Sequence, residues 1–236
     1  MESTVAHPAW WLQAYAWADA RKKQLLYGGV AIAVVALVVA YYLYNRGQRD
    51  LAASEALSAA GASGQAPGAK GEKPEAYLRV ASDYAGTTAA AQALLRAGTA
   101  YFAEGKHAEA LRQFERFIRE NRQSPLLGQA LFGVAACLDA QGKAAEAVER
   151  YRSLIDRRPN DSMVPQTKLN LARLYENQNK AEQAKTLYEE VARTAGYGNT
   201  GTEAAVRLNT LLARHPELAA PKSGATNAPA INLGTP

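Results

Sequence analysis

Three aromatic residues, Phe114, Tyr151 and Tyr188, fall 37 residues apart, and several other side chains keep the same step. Small residues keep it at Gly98, Ala135 and Ala172, and again at Ala110, Ala147 and Ala184. Glu109, Glu146 and Gln183 follow it too, while Gly105-Lys106, Gly142-Lys143 and Asn179-Lys180 mark equivalent turns. A fixed period of this kind restricts a chain to stacked copies of one supersecondary unit. Each copy is predicted to hold a helix of about a dozen residues, a turn opened by Gly or Asn, and a second helix of similar length. Composition points the same way. Fifty alanines stand against four Phe and three Trp, which favours helix–helix packing over a β-rich core.

The pattern has a physical reading. Small side chains at Gly98 and Ala110, Ala135 and Ala147, and Ala172 and Ala184 let two antiparallel backbones approach closely. Tyr101, Leu138 and Tyr175 on the first helices, with Phe114/Phe117, Tyr151/Leu154 and Tyr188/Val191 on the second, then form apolar faces that only a neighbouring unit can cover. Small residues at these positions, Gly at the turn, an aromatic further on and a closing Pro resemble the tetratricopeptide repeat (TPR). Ala135, Gly142, Ala147, Tyr151 and Pro159 match it in the second unit. The period of 37 exceeds the usual length, and Leu94, Leu131 and Lys168 stand where the family places Trp. The expected fold is an all-α, TPR-like solenoid.

Upstream, 22 residues from Gln24 to Asn45 carry no charge. As a helix they span ~33 Å, enough for a hydrocarbon core of about 30 Å. Trp17 and Tyr27 on one side and Tyr41, Tyr42 and Tyr44 on the other suit the two headgroup boundaries. Trp10, Trp11, Ala14, Tyr15, Trp17 and Ala18 are predicted to form a short interfacial helix starting at Pro8. A permanent anchor is favoured over a cleaved signal, because the apolar run is long and tyrosines follow Ala40 where small residues would mark a cleavage site. Arg21, Lys22 and Lys23 before the span outnumber Arg46 and Arg49 after it, which leans the N-terminus toward the cytoplasm.

The predicted organisation is an N-terminal cytoplasmic and interfacial segment 1–23, a transmembrane helix 24–45, and an Ala/Gly-rich connector 46–73. Within the connector, 51–60 is helix-compatible and 61–71 has linker composition. A repeat domain 74–218 follows: a partial unit 74–90, repeats 91–127, 128–164 and 165–201, and a capping helix 202–214. Residues 219–236 read as a disordered tail.

Nothing in the chain assembles a reaction centre. His7, His107 and His215 are scattered, read as surface residues, and have no Cys or second His at ligand spacing; Cys137 is the only cysteine. Ser82 and Asp83 lack a nearby His, and Gly196-Tyr197-Gly198 and Gly61-Ala62-Ser63-Gly64 lack the context of a phosphate loop. No catalytic, metal or cofactor site is expected. Arg112, Arg116, Arg119 and Arg122 form a possible basic stripe, which the i,i+4 pairs Glu115–Arg119 and Arg116–Glu120 are expected to neutralise. Without interleaved aromatics, nucleic acid is an unfavoured partner.

Helix pairs of this kind bind protein segments along the face of their first helices. Helical phase assigns Gln92, Arg96, Thr99, Gln129, Phe132, Asp139, Gln166, Asn170, Arg173 and Glu176 to that face. Peptide-carboxylate-binding members of the family share a Lys/Asn/Arg clamp. Leu95 and Thr99 occupy the first unit's clamp positions here, which disfavours chaperone tails as ligands. The layout of anchor, connector and repeats resembles bacterial membrane-anchored TPR proteins, the group of the ancillary SecYEG translocon subunit and the cell-division coordinator of the Tol–Pal system. That resemblance implies a non-enzymatic scaffold in the inner membrane, with periplasmic repeats that bind other envelope proteins. The alternative is an oligomerising assembly module whose groove is idle.

Overall fold

The computed structural model describes residues 10–65, 73–195 and 198–219. Every described element is helical: α1 (Trp10–Ala20), α2 (Lys22–Gln65), α3 (Pro74–Asp83), α4 (Thr88–Ala103), α5 (His107–Glu120), α6 (Leu127–Ala140), α7 (Ala144–Arg157), α8 (Val164–Asn177), α9 (Ala181–Thr194), α10 (Asn199–Arg214) and the 3-10 turn η1 (Pro216–Leu218). The chain divides into two compact units, Met1–Ala56 and Leu57–Pro236.

In the first unit, α2 carries a stretch long and apolar enough to cross a membrane, with a mean hydropathy of 2.2 and none of that window buried. A core helix of the same composition would be covered. Leu37 is 70% exposed, and Ile32, Val35 and Val38 are exposed with it. The helix does not stop at Asn45 but runs on to Gln65, so residues 61–65 of the expected linker are helical. Two glycines in that segment cost a helix about 1 kcal/mol each. Burial of Gly61 offsets this in the second unit: a Cβ there would lie 3.2 Å from the Arg96 guanidinium and 3.4 Å from the Tyr77 hydroxyl. The rest of the expected linker, 66–71, and residues 220–236 of the expected tail lie outside the described residues, as do Pro8 and His7.

In the second unit, α4/α5, α6/α7 and α8/α9 are three successive helix pairs. Each helix packs on the next in sequence, and α4 also meets α6 as α8 meets α10. The turns repeat as closely as the sequence does. Gly105, Gly142 and Asn179 adopt φ of 75°, 76° and 57°, a left-handed conformation that glycine and asparagine enter at low cost. The following lysine N–H then reaches back to the helix: Lys106 to the Tyr101 carbonyl at 2.9 Å, Lys143 to Leu138 at 2.9 Å and Lys180 to Tyr175 at 2.8 Å. Where the residue beneath is aromatic, the lysine ammonium also lies over its ring, at 5.8 Å for Tyr101 and 5.7 Å for Tyr175.

A second periodic device opens the first helices. Thr87, Ser124 and Asp161, again 37 apart, each offer a side-chain oxygen to a backbone N–H at the start of the helix: Ala90 at 3.1 Å, Leu126 at 3.2 Å and Met163 at 3.0 Å. The capping helix begins at Asn199, slightly before the expected 202.

The core is the predicted one. Ala110, Phe117, Ala135, Ala147, Tyr151, Ala172, Ala184, Tyr188 and Val191 are essentially without exposed surface. Cys137 joins them, and burial pushes its thiol up to about 12. Because the reactive species is the thiolate, Cys137 is expected to resist thiol reagents at pH 8 in the folded chain and to react stoichiometrically once denatured. Equal rates in both states, followed by absorbance with an aromatic disulfide reagent, would contradict this packing.

Candidate protein-binding groove

None of the ten expected groove residues is buried: Arg96, Thr99, Gln129 and Arg173 are exposed, and the other six are half-buried. The structure brings most of them into two groups. Thr99, Gln129 and Phe132 line a cleft of about 280 Å³ between α4 and α6, floored by Leu95, Phe102 and Phe114. Phe132 is half-buried and leans against Tyr151, the ring centroids 5.8 Å apart and tilted by 48°. The Thr99 hydroxyl donates to the Leu95 carbonyl at 3.0 Å, which leaves the cleft wall apolar. Small-molecule sites usually occupy about 300–1,000 Å³. This one, at about 280 Å³, is smaller than most of them.

The second group is polar and spans the last two repeats. Arg173 donates to Asn170 at 3.0 Å. Its charge also faces Asp139, whose carboxyl burial raises above its usual range while Arg173 opposes the rise. Glu176 accepts from the Tyr188 hydroxyl at 3.0 Å and from Arg214 at 3.0 Å, tying the third repeat to the capping helix. Burial, reinforced by that hydrogen bond, shifts the Tyr188 phenol upward. Gln166 accepts from Thr200 at 3.2 Å.

Gln92 and Arg96 stand apart from the cleft. Gln92 borders a hollow with Thr87, Arg122 and Pro125, and Arg96 reaches over the Tyr77 ring at 6.0 Å.

Two family profiles match over this region, each described as tetratricopeptide repeat, across residues 95–162 and 166–195. The helix pairs under these matches are tetratricopeptide-like. Such repeats are typically non-catalytic modules that bind other proteins. No curated protein matches the chain. A solved structure, a type III secretion (T3SS) complex from Aeromonas hydrophila, is 18% identical, covers 60% of this chain and 96% of its own, and superposes with a TM-score of 0.47.

Several residues of the TPR cleft escape helical phase. Met163 enters it from the turn before α8, where no helical period applies, and Leu95 and Phe102 belong to the inward side of α4. His107, expected at the surface, is half-buried with its ring 4.9 Å from that of Phe102, and so supports the cleft from behind. The expected neutral arginine stripe is also corrected. Arg116 pairs with Glu120 at 2.8 Å and Arg112 with Glu109 at 3.4 Å, but among the described residues Glu115 and Arg119 form no ion pair. An i,i+4 pair contributes only about 0.2–0.5 kcal/mol on a helix surface, too little to hold Arg119 against other placements. Among the described residues, no group of three His, Cys, Asp or Glu could hold a metal ion.

Proposed function

We propose that this chain is a membrane-anchored TPR scaffold that holds protein segments in its first-helix groove on the extracytoplasmic side of a bacterial inner membrane, at protein export or envelope assembly. The observation that carries the reading is the cleft between α4 and α6, where half-exposed Phe132 borders an apolar recess and polar groups continue along α8. Apolar anchor and polar track together suit an extended peptide, with one side chain inserted and its backbone hydrogen-bonded alongside. The exposed apolar length of α2 supports the membrane anchor, and the excess of basic residues before it supports a cytoplasmic N-terminus.

A photocrosslinking amino acid in place of Phe132, in intact cells, tests the groove. The expected result is one discrete envelope-protein adduct, lost when Arg173→Glu reverses the charge of the track. No adduct at all, or an adduct indifferent to Arg173→Glu, would reject the scaffold reading.

A further inference from the structure

The opposite side of the repeats holds a larger cleft, about 630 Å³, bounded by α5, α6 and α7. Its floor is apolar, made by Ile118, Leu131, Val134 and Leu154. Its rim is basic. Arg119, Arg150 and Arg157 line it and make no ion pair or hydrogen bond among the described residues. Arg158 lines it too, but is tied to the nearly buried carboxylate of Asp161 at 2.9 Å. Glu115 is the sole carboxylate in the lining.

The 37-residue period shows what sets this cleft apart. One unit later, the positions of Leu131 and Ser153 are taken by Lys168 and Glu190, which form an ion pair across the equivalent space. At the same step the places of Arg119, Arg150 and Arg157 fall to Asp156, Leu187 and Thr194. One unit earlier, the positions of Ser153 and Arg157 are Arg116 and Glu120, again paired. Of three homologous interfaces, two carry their own ion pair near this position, whereas the central one keeps unpaired arginines around an open apolar floor.

Unpaired guanidinium groups attract carboxylates, which they can grip with two parallel hydrogen bonds. Arg150 and Arg157 are seven residues apart on α7, about 10 Å along its axis. One small anion cannot neutralise both, but a segment with several carboxylates can. The recessed floor asks for a projecting apolar side chain, which a flat lipid surface does not supply. We propose that this cleft docks a short acidic segment of a partner protein, its carboxylates on the arginines and a leucine-sized side chain on the floor. The site is separate from the first-helix groove and can be occupied together with it.

The test uses the full chain in phosphatidylcholine nanodiscs and a fluorescein-labelled peptide of alternating glutamate and leucine, followed by anisotropy. Binding is expected to weaken as salt rises. Arg150→Glu together with Arg157→Glu should weaken it by about tenfold or more, since loss of one charged contact at 1.4 kcal/mol is already tenfold. Leu131→Lys with Ser153→Glu installs the ion pair that the next interface tolerates, and should remove binding while the helical circular dichroism is retained. Phe132→Ala should leave it unchanged. Equal binding by both double variants, or equal binding of a lysine–leucine peptide, would overturn the proposal. So would peptide binding that vanishes when phosphatidylglycerol replaces phosphatidylcholine, because the arginines would then belong to lipid headgroups.

Discussion

Replacing Phe114 with alanine is expected to remove about 3–5 kcal/mol of unfolding free energy, a large share of the roughly 5–15 kcal/mol that a domain possesses. Phe114 projects from α5, the second helix of its repeat, and is only 5% exposed. Its ring fills the space left by two missing side chains: a Cβ built at Gly98 on α4, or at Gly133 on α6, would meet it at 2.7 Å. One ring therefore joins the two helices of its own repeat and the first helix of the next. In a solenoid, stability is the sum of each repeat and its interface with its neighbours, and deletion of this ring weakens both terms. The converse change is smaller. Gly133→Ala overpacks the same spot at a cost of about 1–3 kcal/mol. Because the two sites touch, Phe114→Leu combined with Gly133→Ala should cost less than the two separate losses added together. Thermal and urea melts of the full chain in detergent give the values for Phe114→Ala, Gly133→Ala, Phe114→Leu and the double variant. A loss from Phe114→Ala below about 1 kcal/mol, the scale of an exposed substitution, would show that the ring is not the joint between repeats.

How far this joint could be read beforehand is instructive. Phe114, Tyr151 and Tyr188 share a register, and Gly98, Ala135 and Ala172 share another, so a recurring aromatic and a recurring small residue were legible as periodicity, whereas the seat of the Phe114 ring against Gly98 was not. Gly133 was not, because its period mates Arg96 and Asn170 are large and polar. It matters only through the neighbouring repeat, where the Phe114 ring arrives. The helix openers are a different case. Thr87, Ser124 and Asp161 share one role but three chemistries, so a comparison by residue identity passes over them, whereas a comparison by hydrogen-bonding capacity finds them. Composition misled at Gly61: a Gly/Ser-rich stretch reads as linker, yet burial in the second unit outweighs its poor helix propensity. Surface charge was the least legible feature. Glu115 and Arg119 have ideal spacing, but a pair worth so little is decided by what else lies nearby, and here both border a cleft that α7 arginines also line.

Substituting Val34→Arg together with Leu37→Arg is expected to release the chain from the membrane while leaving the repeats folded. Both positions lie at the middle of the uncharged run and are well exposed, 54% and 70%, so no protein contact shelters the new charges. An arginine at the centre of a spanning helix costs about 2.5–3.5 kcal/mol on the insertion scale. Two together cost about 5–7 kcal/mol, roughly four decades in the partition between inserted and soluble states. The unsubstituted chain should stay in the membrane pellet after alkaline carbonate extraction, with its N-terminal residues present by intact mass. The double variant should move to the soluble fraction and keep the slow Cys137 labelling of the native fold, since that thiol lies in the second compact unit. An unsubstituted mature chain that begins beyond Ala40 would instead mean that α2 is a signal removed on export. The groove and the arginine-rimmed cleft would then belong to a protein free of the bilayer, whose encounter with partners is set by its own concentration. With α2 as the proposed anchor, retention at the membrane would raise the effective concentration of partners in the same plane, so the proposed groove would need only modest intrinsic affinity.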